Sequence, residues 1–209
     1  MPRRVDHAER RTEIAEALLR VAARRGLHAA GMRDVAAEAG VSLRLVQYYF
    51  ETKEKLLLYG LQHLAGKFGK RVAARIRAAG HDPGPRAMIE AMLTAALPID
   101  EESRAFHLVY TSYAVLSVTD EVLAAQPFLT NPDAAESAVV ALLRQAEESD
   151  LVQPGVDVRL EAVSLLAMSA GLGTGILVGQ RSPESATTVL RHHLDRIFRA
   201  DGTDTGTGE

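Results

Sequence analysis

The sequence predicts an all-α fold, because alanine is abundant, alternating runs of Val, Ile and Thr are rare, and no Asn-Gly or Asp-Gly turn separates two apolar runs. The chain has 209 residues, enough for one domain or two small ones with a buried core. Its composition, 47% apolar and 24% charged, is that of an ordinary globular protein. It contains no cysteine, which excludes disulfide scaffolds, thiolate nucleophiles and cysteine zinc sites.

Charge is distributed unevenly along the chain. Residues 1–77 carry 16 Lys and Arg against 8 Asp and Glu, a net charge of +8, whereas residues 78–209 carry 8 against 19, a net charge of −11. A basic segment joined to an acidic one suggests that the first segment meets a polyanion, with chance clustering of solvated side chains as the alternative. The N-terminus lacks the apolar core of a secretory signal, so we expect the protein in the cytoplasm.

The first four predicted helices are marked by local start and stop signals. Apolar residues at helical spacing are followed by Gly26 after the first helix and by Gly40 after the second. Ser42 is a good N-cap for the third helix, and Thr52 can cap the long fourth one. The predicted ranges are 6–25, 32–39, 43–50 and 53–79.

Residues 79–85, with the sequence AGHDPGP, form the clearest break in the chain. The break coincides with the reversal of charge, so we place a domain boundary at residue 80. Further helices are predicted over 86–97, 101–117, 120–126, 132–149, 157–179 and 183–199. The expected organisation is a helical domain over 1–52, a connecting helix over 53–79, a second helical domain over 80–200 and a disordered tail over 201–209.

Residues 32–50 have the order helix, glycine-containing turn, helix. This is the arrangement of a helix-turn-helix, whose second helix enters the DNA major groove. Arg44 and Lys53 place positive charge in the first turn of a helix, where the macrodipole disfavours it and where a bound phosphate would remove the penalty. Because dipole effects at exposed sites are small, simple solvation of both side chains is the alternative.

The third helix also carries side chains suited to contacts with bases and phosphates. A helix of eight residues cannot bury both Tyr48 and Tyr49 beside its apolar residues, so at least one hydroxyl should reach solvent or a phosphate. Gln47 has the amide that reads an adenine edge, and Arg44 has the guanidinium that reads a guanine edge. Two half-buried tyrosines and a solvated glutamine are the alternative. A basic arm precedes this segment and is either a DNA contact or simply solvated; it consists of Arg3, Arg4, Arg10 and Arg11.

Residues 8–60 resemble the DNA-binding domain of the tetracycline-repressor-like (TetR) family. The matching residues are Ile14, Ala15, Gly26, Arg33-Asp34-Val35-Ala36, Ala39-Gly40-Val41-Ser42, Phe50, Lys53 and Leu56-Leu57. The resemblance implies a double-stranded DNA operator as partner. The implied DNA contacts are Ser42, Arg44, Leu45, Gln47, Tyr48, Tyr49 and Lys53.

Two positions depart from the family pattern. Family members often have Thr at the start of the second helix, where this chain has Ala30-Gly31, which puts one backbone contact in doubt. They also often have Tyr at the position of Gln47, so Gln47 is a candidate base reader instead.

The resemblance further implies a homodimer formed through the helices over about 157–179 and 183–199. Residues 162–180 contain no charged side chain, and a helix that is apolar all round must be buried. A membrane span is disfavoured, because polar and small residues dilute the run and no second span exists, so no membrane partner is expected. A nucleotide-binding loop at 171–175 is disfavoured because no strand precedes it and no Lys-Ser/Thr follows.

The resemblance also implies a small-molecule pocket in the C-terminal domain. Aromatic residues repeat at helical spacing there, and methionines occur on neighbouring helices, although such a stripe can equally be plain core. The candidates are Met88, Met92, Phe106, His107, Tyr110, Tyr113, Phe128 and Met168. The expected ligand is an apolar or amphipathic effector of unknown identity.

No constellation typical of an enzyme appears in the sequence. His192 and His193 are adjacent and cannot chelate as residues four apart on a helix would. Neither HExxH nor GxSxG is present, and we expect no catalytic residue, metal or cofactor. The sequence therefore predicts a dimeric regulator, a repressor released from a palindromic operator by a small molecule. The alternatives are a helical small-molecule-binding module with no DNA-regulatory role and a helical enzyme.

Overall fold

A computed structural model describes residues 7–125 and 133–199 of the chain. Within these ranges the fold is all-α, as predicted, and its one β-type feature is an isolated antiparallel bridge between Val152 and Phe198. A short 3-10 turn over Leu27–Ala29 follows the first helix. The helices are α1 His7–Arg25, α2 Met32–Glu38, α3 Leu43–Phe50, α4 Lys53–Ala78, α5 Pro85–Ala95, α6 Glu101–Ser117, α7 Glu121–Ala124, α8 Asp133–Glu148, α9 Val158–Leu177 and α10 Pro183–Ile197.

The helix ends follow the local signals in the sequence. Every predicted range agrees with the structure to within two residues over the part that the structure describes. Gly26 and Gly40 adopt left-handed backbone conformations, with φ of 81° and 66°, which favour glycine after a helix. The Ser42 hydroxyl accepts a hydrogen bond from the Leu45 N–H at 3.2 Å and so caps α3 as predicted.

The chain divides into two compact units, each made of two separate stretches of sequence, so their limits differ from the predicted boundary at residue 80. The first unit contains residues 1–71 and 98–132, and the second contains residues 72–97 and 133–209. Helices α6 and α7 therefore belong with α1–α3 and not with the second unit. One reason is Tyr113 of α6, which is fully buried and donates a hydrogen bond to the Leu57 carbonyl oxygen of α4 at 2.7 Å.

The core of the first unit joins α1, α2, α3, α6 and the first part of α4. Gly60 of α4 lies at the closest approach, because a Cβ there would stand 2.5 Å from Leu18 Cδ2 of α1 and 2.9 Å from Tyr113 Oη. Helix α4 is thus packed closely against two other helices at this position. The largest fully buried side chains of this core are Ile14, Leu18, Phe50, Leu56, Leu61 and Tyr113.

The core of the second unit joins α5, α8, α9 and α10. Inside it, the buried Ser169 hydroxyl of α9 donates to the Leu93 carbonyl oxygen of α5 at 3.0 Å. Within one chain, α9 is only partly buried. A stripe of apolar and small residues along its length is exposed: Leu160, Val163, Ser164, Ala167, Ala170, Gly171, Thr174 and Val178. Among the described residues, α9 is also the one helix long and apolar enough to cross a membrane, which by itself is weak evidence for a span.

Candidate nucleic-acid interface

Helix α3 presents one face to the protein and another to solvent. Val46 and Phe50, four residues apart, are buried in the core of the first unit. Arg44, Gln47 and Tyr48, at spacings of three and four, are exposed on another side of the helix. The side chains that sequence analysis assigned to base reading are therefore together on the accessible face.

The two tyrosines of α3 differ in their surroundings. Tyr48 is 67% exposed, whereas Tyr49 is half-buried, in agreement with the expectation that a helix of eight residues cannot bury both tyrosines. The rings contact each other edge to face with centroids 5.3 Å apart. His7, at the start of α1, lies 5.3 Å from the Tyr49 ring and 6.1 Å from the Tyr48 ring. The beginning of α1 thus borders the exposed side of α3.

The other predicted DNA contacts lie around the two ends of α3. Ser42 is exposed at its N-terminus, and Leu45 is half-buried in its first turn. Lys53 is half-buried and opens α4, where the Thr52 hydroxyl caps the helix by accepting from the Lys55 N–H at 3.3 Å. The predicted DNA-contact residues therefore occupy one short stretch of surface between the turn at Gly40 and the start of α4.

The lysines and arginines of residues 7–55 fall into two groups by their partners. Those of the first group are neutralised by nearby carboxylates in ion pairs: Arg10, Arg20, Arg24, Arg25 and Lys55. Those of the second group form no ion pair with any described residue: Arg11, Arg33, Arg44 and Lys53. Because Arg44 and Lys53 belong to the second group, their charge remains available to an outside anion such as a DNA phosphate.

Helix α2 begins at the position where the sequence departs from the family pattern. Gly31 is its N-cap residue, and no side chain caps the helix there. A Cβ at Gly31 would lie 3.1 Å from Asp34 Oδ2. The other carboxylate oxygen of Asp34, Oδ1, accepts a hydrogen bond from Arg25 at 2.8 Å. This site therefore has no threonine hydroxyl with which to cap α2 or to contact the DNA backbone.

The predicted pocket residues are divided between the two units. Met88, Met92 and Met168 pack against the core of the second unit. The aromatic residues and His107 belong to α6 in the first unit, and Phe128 lies outside the described residues. Burial raises the pKa of both Tyr110 and Tyr113, and Tyr113 is committed to the Leu57 carbonyl as a core hydrogen-bond donor.

Phe106 is the candidate that lines an open groove within the first unit. The groove lies between α1, α4 and α6 and has a volume of about 610 Å³. Phe106 stacks on Phe68 of α4 with ring centroids 4.7 Å apart, and these rings form part of an apolar floor. Charged residues surround the floor and are largely paired with one another: Glu16, Lys67, Arg71, Asp100 and Glu102.

Metal-ligating side chains do not cluster in the parts of the chain that the structure describes. No group of three or more His, Asp or Glu there could hold a metal ion. His193 instead lies 2.9 Å from a Glu161 carboxylate oxygen, between α10 and α9.

Two family models match this chain. Residues 14–59 match the model described as bacterial regulatory proteins of the tetR family. Residues 85–199 match the model described as the C-terminal part of BetI-type transcriptional repressors. The chain therefore belongs to the TetR family of bacterial transcriptional regulators, with a C-terminal region of the BetI type.

Full-length and partial relatives agree with this classification. The transcriptional regulator PksA of Bacillus subtilis is 28% identical over 207 residues, which cover 98% of each chain. The transcriptional regulator BetI of Rhizobium meliloti is 34% identical over 92 residues, so the match spans 44% of either chain.

Solved structures share the fold. A transcriptional regulator from Rhodococcus sp. Rha1 is 28% identical, with a TM-score of 0.75 over 90% of this chain and 95% of that one. A regulator from Saccharomonospora viridis, crystallised in complex with choline, is 22% identical, with a TM-score of 0.81 over 92% of this chain and 100% of that one.

The chain is thus a DNA-binding transcriptional regulator, as predicted, and not an enzyme. The alternative of a binding module without a DNA-regulatory role finds no support in these relatives.

Proposed function

We propose that this regulator is a dimeric repressor that binds a palindromic operator and is released from it by a small-molecule effector. The observation that carries the proposal is the exposed face of α3, where Arg44, Gln47 and Tyr48 lie together and no carboxylate of the described residues neutralises Arg44. The match of residues 85–199 to the BetI-type repressor model supports the sign of regulation. A regulator of this kind is expected in the cytoplasm, where its operator is.

The seven predicted contact residues fall into two groups, one suited to DNA bases and one suited to the DNA backbone. Arg44 is suited to a guanine edge and Gln47 to an adenine edge, and Leu45 is suited to a thymine methyl group. The remaining four are suited to phosphates, which fix the position of α3 in the groove: Ser42, Tyr48, Tyr49 and Lys53.

A second copy of the chain is the proposed partner of the exposed stripe on α9. The stripe runs from Leu160 to Val178, and Leu160, Val163 and Val178 are 66%, 48% and 62% exposed. Helix α9 lacks charged side chains from Ala162 onwards, so two copies can meet there without burying a charge. Close packing through Ala167, Ala170 and Gly171, together with α10, would give the twofold dimer. Its two α3 helices would read half-sites about one helical turn, roughly 34–36 Å, apart or a related multiple of that spacing.

An effector would act by moving α4, since this helix is continuous from Lys53 at the DNA side to Ala78. A differential affinity of about 1–3 kcal/mol between the DNA-competent and effector-bound states is sufficient for switching. Choline is the first probe, because the structural relative from Saccharomonospora viridis binds it. Phe106→Ala is the first variant for locating the site, since Phe106 is the predicted pocket residue that lines a cavity.

Fluorescence anisotropy with labelled DNA tests the proposal. The duplex is the DNA upstream of the protein's own gene, or a site selected from a random pool, compared with scrambled DNA of equal length across a salt titration. Specific binding with a steep salt dependence, lost in Arg44→Met and retained in Arg24→Met, is expected, because Arg24 is already paired with Glu38. Absence of binding to either duplex at low salt would refute the repressor proposal.

A ligand that binds the protein, as shown by thermal shift, must also change its affinity for the operator. Sedimentation of the free protein and of its DNA complex tests the dimer, with Val163→Glu as the variant that places a charge on the stripe. A monomer at micromolar concentration, or an unchanged dimer in Val163→Glu, would contradict the interface proposed on α9.

A further inference from the structure

Arg11 occupies a site unlike that of the other arginines of α1. Its guanidinium carbon lies 4.5 Å from the ring centre of Tyr59 and 5.2 Å from that of Phe50. These two rings meet edge to face with centroids 5.4 Å apart. We call the site formed by Phe50 and Tyr59 the aromatic corner; it holds the guanidinium by cation–π contacts.

The aromatic corner fixes the direction of the Arg11 side chain. Its Nε is buried and has no hydrogen-bond partner, so this edge of the guanidinium faces the protein. The Nη1 and Nη2 groups are not among the buried atoms without a partner, and they donate to no described residue. The outer edge of the guanidinium therefore remains reachable from solvent with its N–H groups unused.

The position of the aromatic corner relates Arg11 to the DNA-contact surface. Phe50 is the last residue of α3, and Tyr59 lies in the second turn of α4. His7, one helical turn before Arg11 on α1, contacts the rings of Tyr48 and Tyr49. The side of α1 that carries His7 and Arg11 thus borders the exposed part of α3.

Cation–π contacts with Phe50 and Tyr59 give Arg11 a structural role, but they leave its outer N–H groups unused. The buried Nε lacks a hydrogen bond, which is unfavourable, and an apolar side chain of similar length could fill the same corner. The neighbouring Arg10, by contrast, is neutralised by Glu13 at 2.5 Å. The charge of Arg11 is paired with no carboxylate among the described residues, and it lies beside the proposed DNA-contact surface.

We propose that Arg11 is an anchor for a DNA backbone phosphate, oriented in advance by Phe50 and Tyr59. The planar guanidinium presents two N–H donors in a fixed geometry, which matches phosphate oxygens. The proposal adds a contact from α1 to those of α3 and Lys53, and it rests on the DNA binding described under the proposed function. A phosphate contact of this kind strengthens binding to every sequence equally.

The salt dependence of binding distinguishes a phosphate contact from other roles. Arg11→Met keeps a side chain of similar length in the corner but removes the charge. Loss of one phosphate contact is expected to reduce the slope of log K against log salt by about 0.9, which corresponds to a loss of about eight-fold in affinity at 0.1 M salt. The operator and the scrambled duplex should lose affinity by the same factor.

Two further variants make the test specific. Arg24→Met removes one charge from the same helix but from an arginine paired with Glu38, and it should leave the slope at the wild-type value. Arg11→Lys keeps the positive charge but loses the planar guanidinium with its two N–H donors. The slope of log K against log salt should therefore stay at the wild-type value, while affinity falls less than in Arg11→Met. Circular dichroism at the assay temperature confirms that each variant is folded.

Several outcomes would refute the proposal that Arg11 binds a backbone phosphate. An unchanged slope in Arg11→Met with a reduced ratio of operator to scrambled binding would make Arg11 a positioning residue for α3. Unchanged affinity and slope would make it a solvated cation. Either result with normal wild-type binding leaves the proposed function intact, whereas failure of the wild-type protein to bind DNA would remove both proposals.

Discussion

Replacing Gly60 with alanine tests how closely α4 approaches α1 and α6. The added Cβ would lie 2.5 Å from Leu18 Cδ2 and 2.9 Å from Tyr113 Oη, whereas ordinary contacts between such atoms are about 3.5–4 Å. Leu18 and Tyr113 are both fully buried, so neither side chain has free space into which it can move. The substitution therefore forces Leu18, Tyr113 or α4 itself to shift.

The expected free energy combines two opposing effects. Overpacking of a dense core costs about 1–3 kcal/mol, while exchanging glycine for alanine inside a helix gains about 0.5–1 kcal/mol. Gly60→Ala should thus range from nearly neutral to about 2.5 kcal/mol less stable. Gly66 and Gly69 of the same helix are exposed, and nothing lies within 4 Å of a Cβ at either position. Alanine at either one should therefore stabilise the protein by the full helical gain.

Urea denaturation at equal protein concentration measures all three variants on one scale. Equal concentration is needed because association shifts the apparent stability. The midpoint for Gly60→Ala should lie below those of Gly66→Ala and Gly69→Ala by an amount equivalent to about 1–3 kcal/mol, with unchanged slopes. A stabilisation by Gly60→Ala equal to that of Gly66→Ala would refute the close approach of the three helices.

Three other expectations concern the first unit. Tyr113→Phe removes the hydrogen bond to Leu57 and should cost about 0.5–1.5 kcal/mol in thermal unfolding; an unchanged midpoint would contradict the buried bond. Ser42→Ala removes the cap of α3 and should cost about 1 kcal/mol, whereas Ser42→Asp should keep stability and lose DNA affinity; equal affinity in both would argue against a phosphate nearby. The Arg71 guanidinium lowers the pKa of Asp100 to about 2 from an ordinary value near 3.8. The folded state therefore gains stability above pH 4 that is lost as the pH falls towards 2. In Asp100→Asn, the free energy of unfolding should change less between pH 4 and pH 2 than in the wild-type protein. The difference should be less than about 1 kcal/mol, because the Arg71–Asp100 pair is partly exposed.

The DNA-binding helices were predictable because their determinants are local. Gly26, Gly40 and Ser42 act within a few residues of their own positions, through backbone conformation or capping. The alternation of buried Val46 with exposed Gln47 follows from the helical period alone. Helix bounds and the exposed face of α3 could therefore be derived without knowledge of the remaining chain.

Features that depend on contacts between distant residues could not be derived in this way. The bond from Tyr113 to Leu57 joins positions 56 residues apart, and nothing near either residue signals it. The sequence pattern therefore gave Tyr113 the properties of a pocket residue, whereas the fold uses it as a core donor. The aromatic corner around Arg11 escaped prediction for the same reason, since Phe50 and Tyr59 meet α1 only after folding.

The segregation of charge along the chain governs how quickly the regulator reaches DNA. Residues 1–77 have a net charge of +8 and include cations that no described carboxylate neutralises, whereas residues 78–209 have a net charge of −11. Basic side chains without an ion pair accelerate diffusional encounter with a polyanion at low ionic strength. Contacts with phosphates can thus form before any base is read, and the protein can slide along non-specific DNA while α3 samples successive sequences.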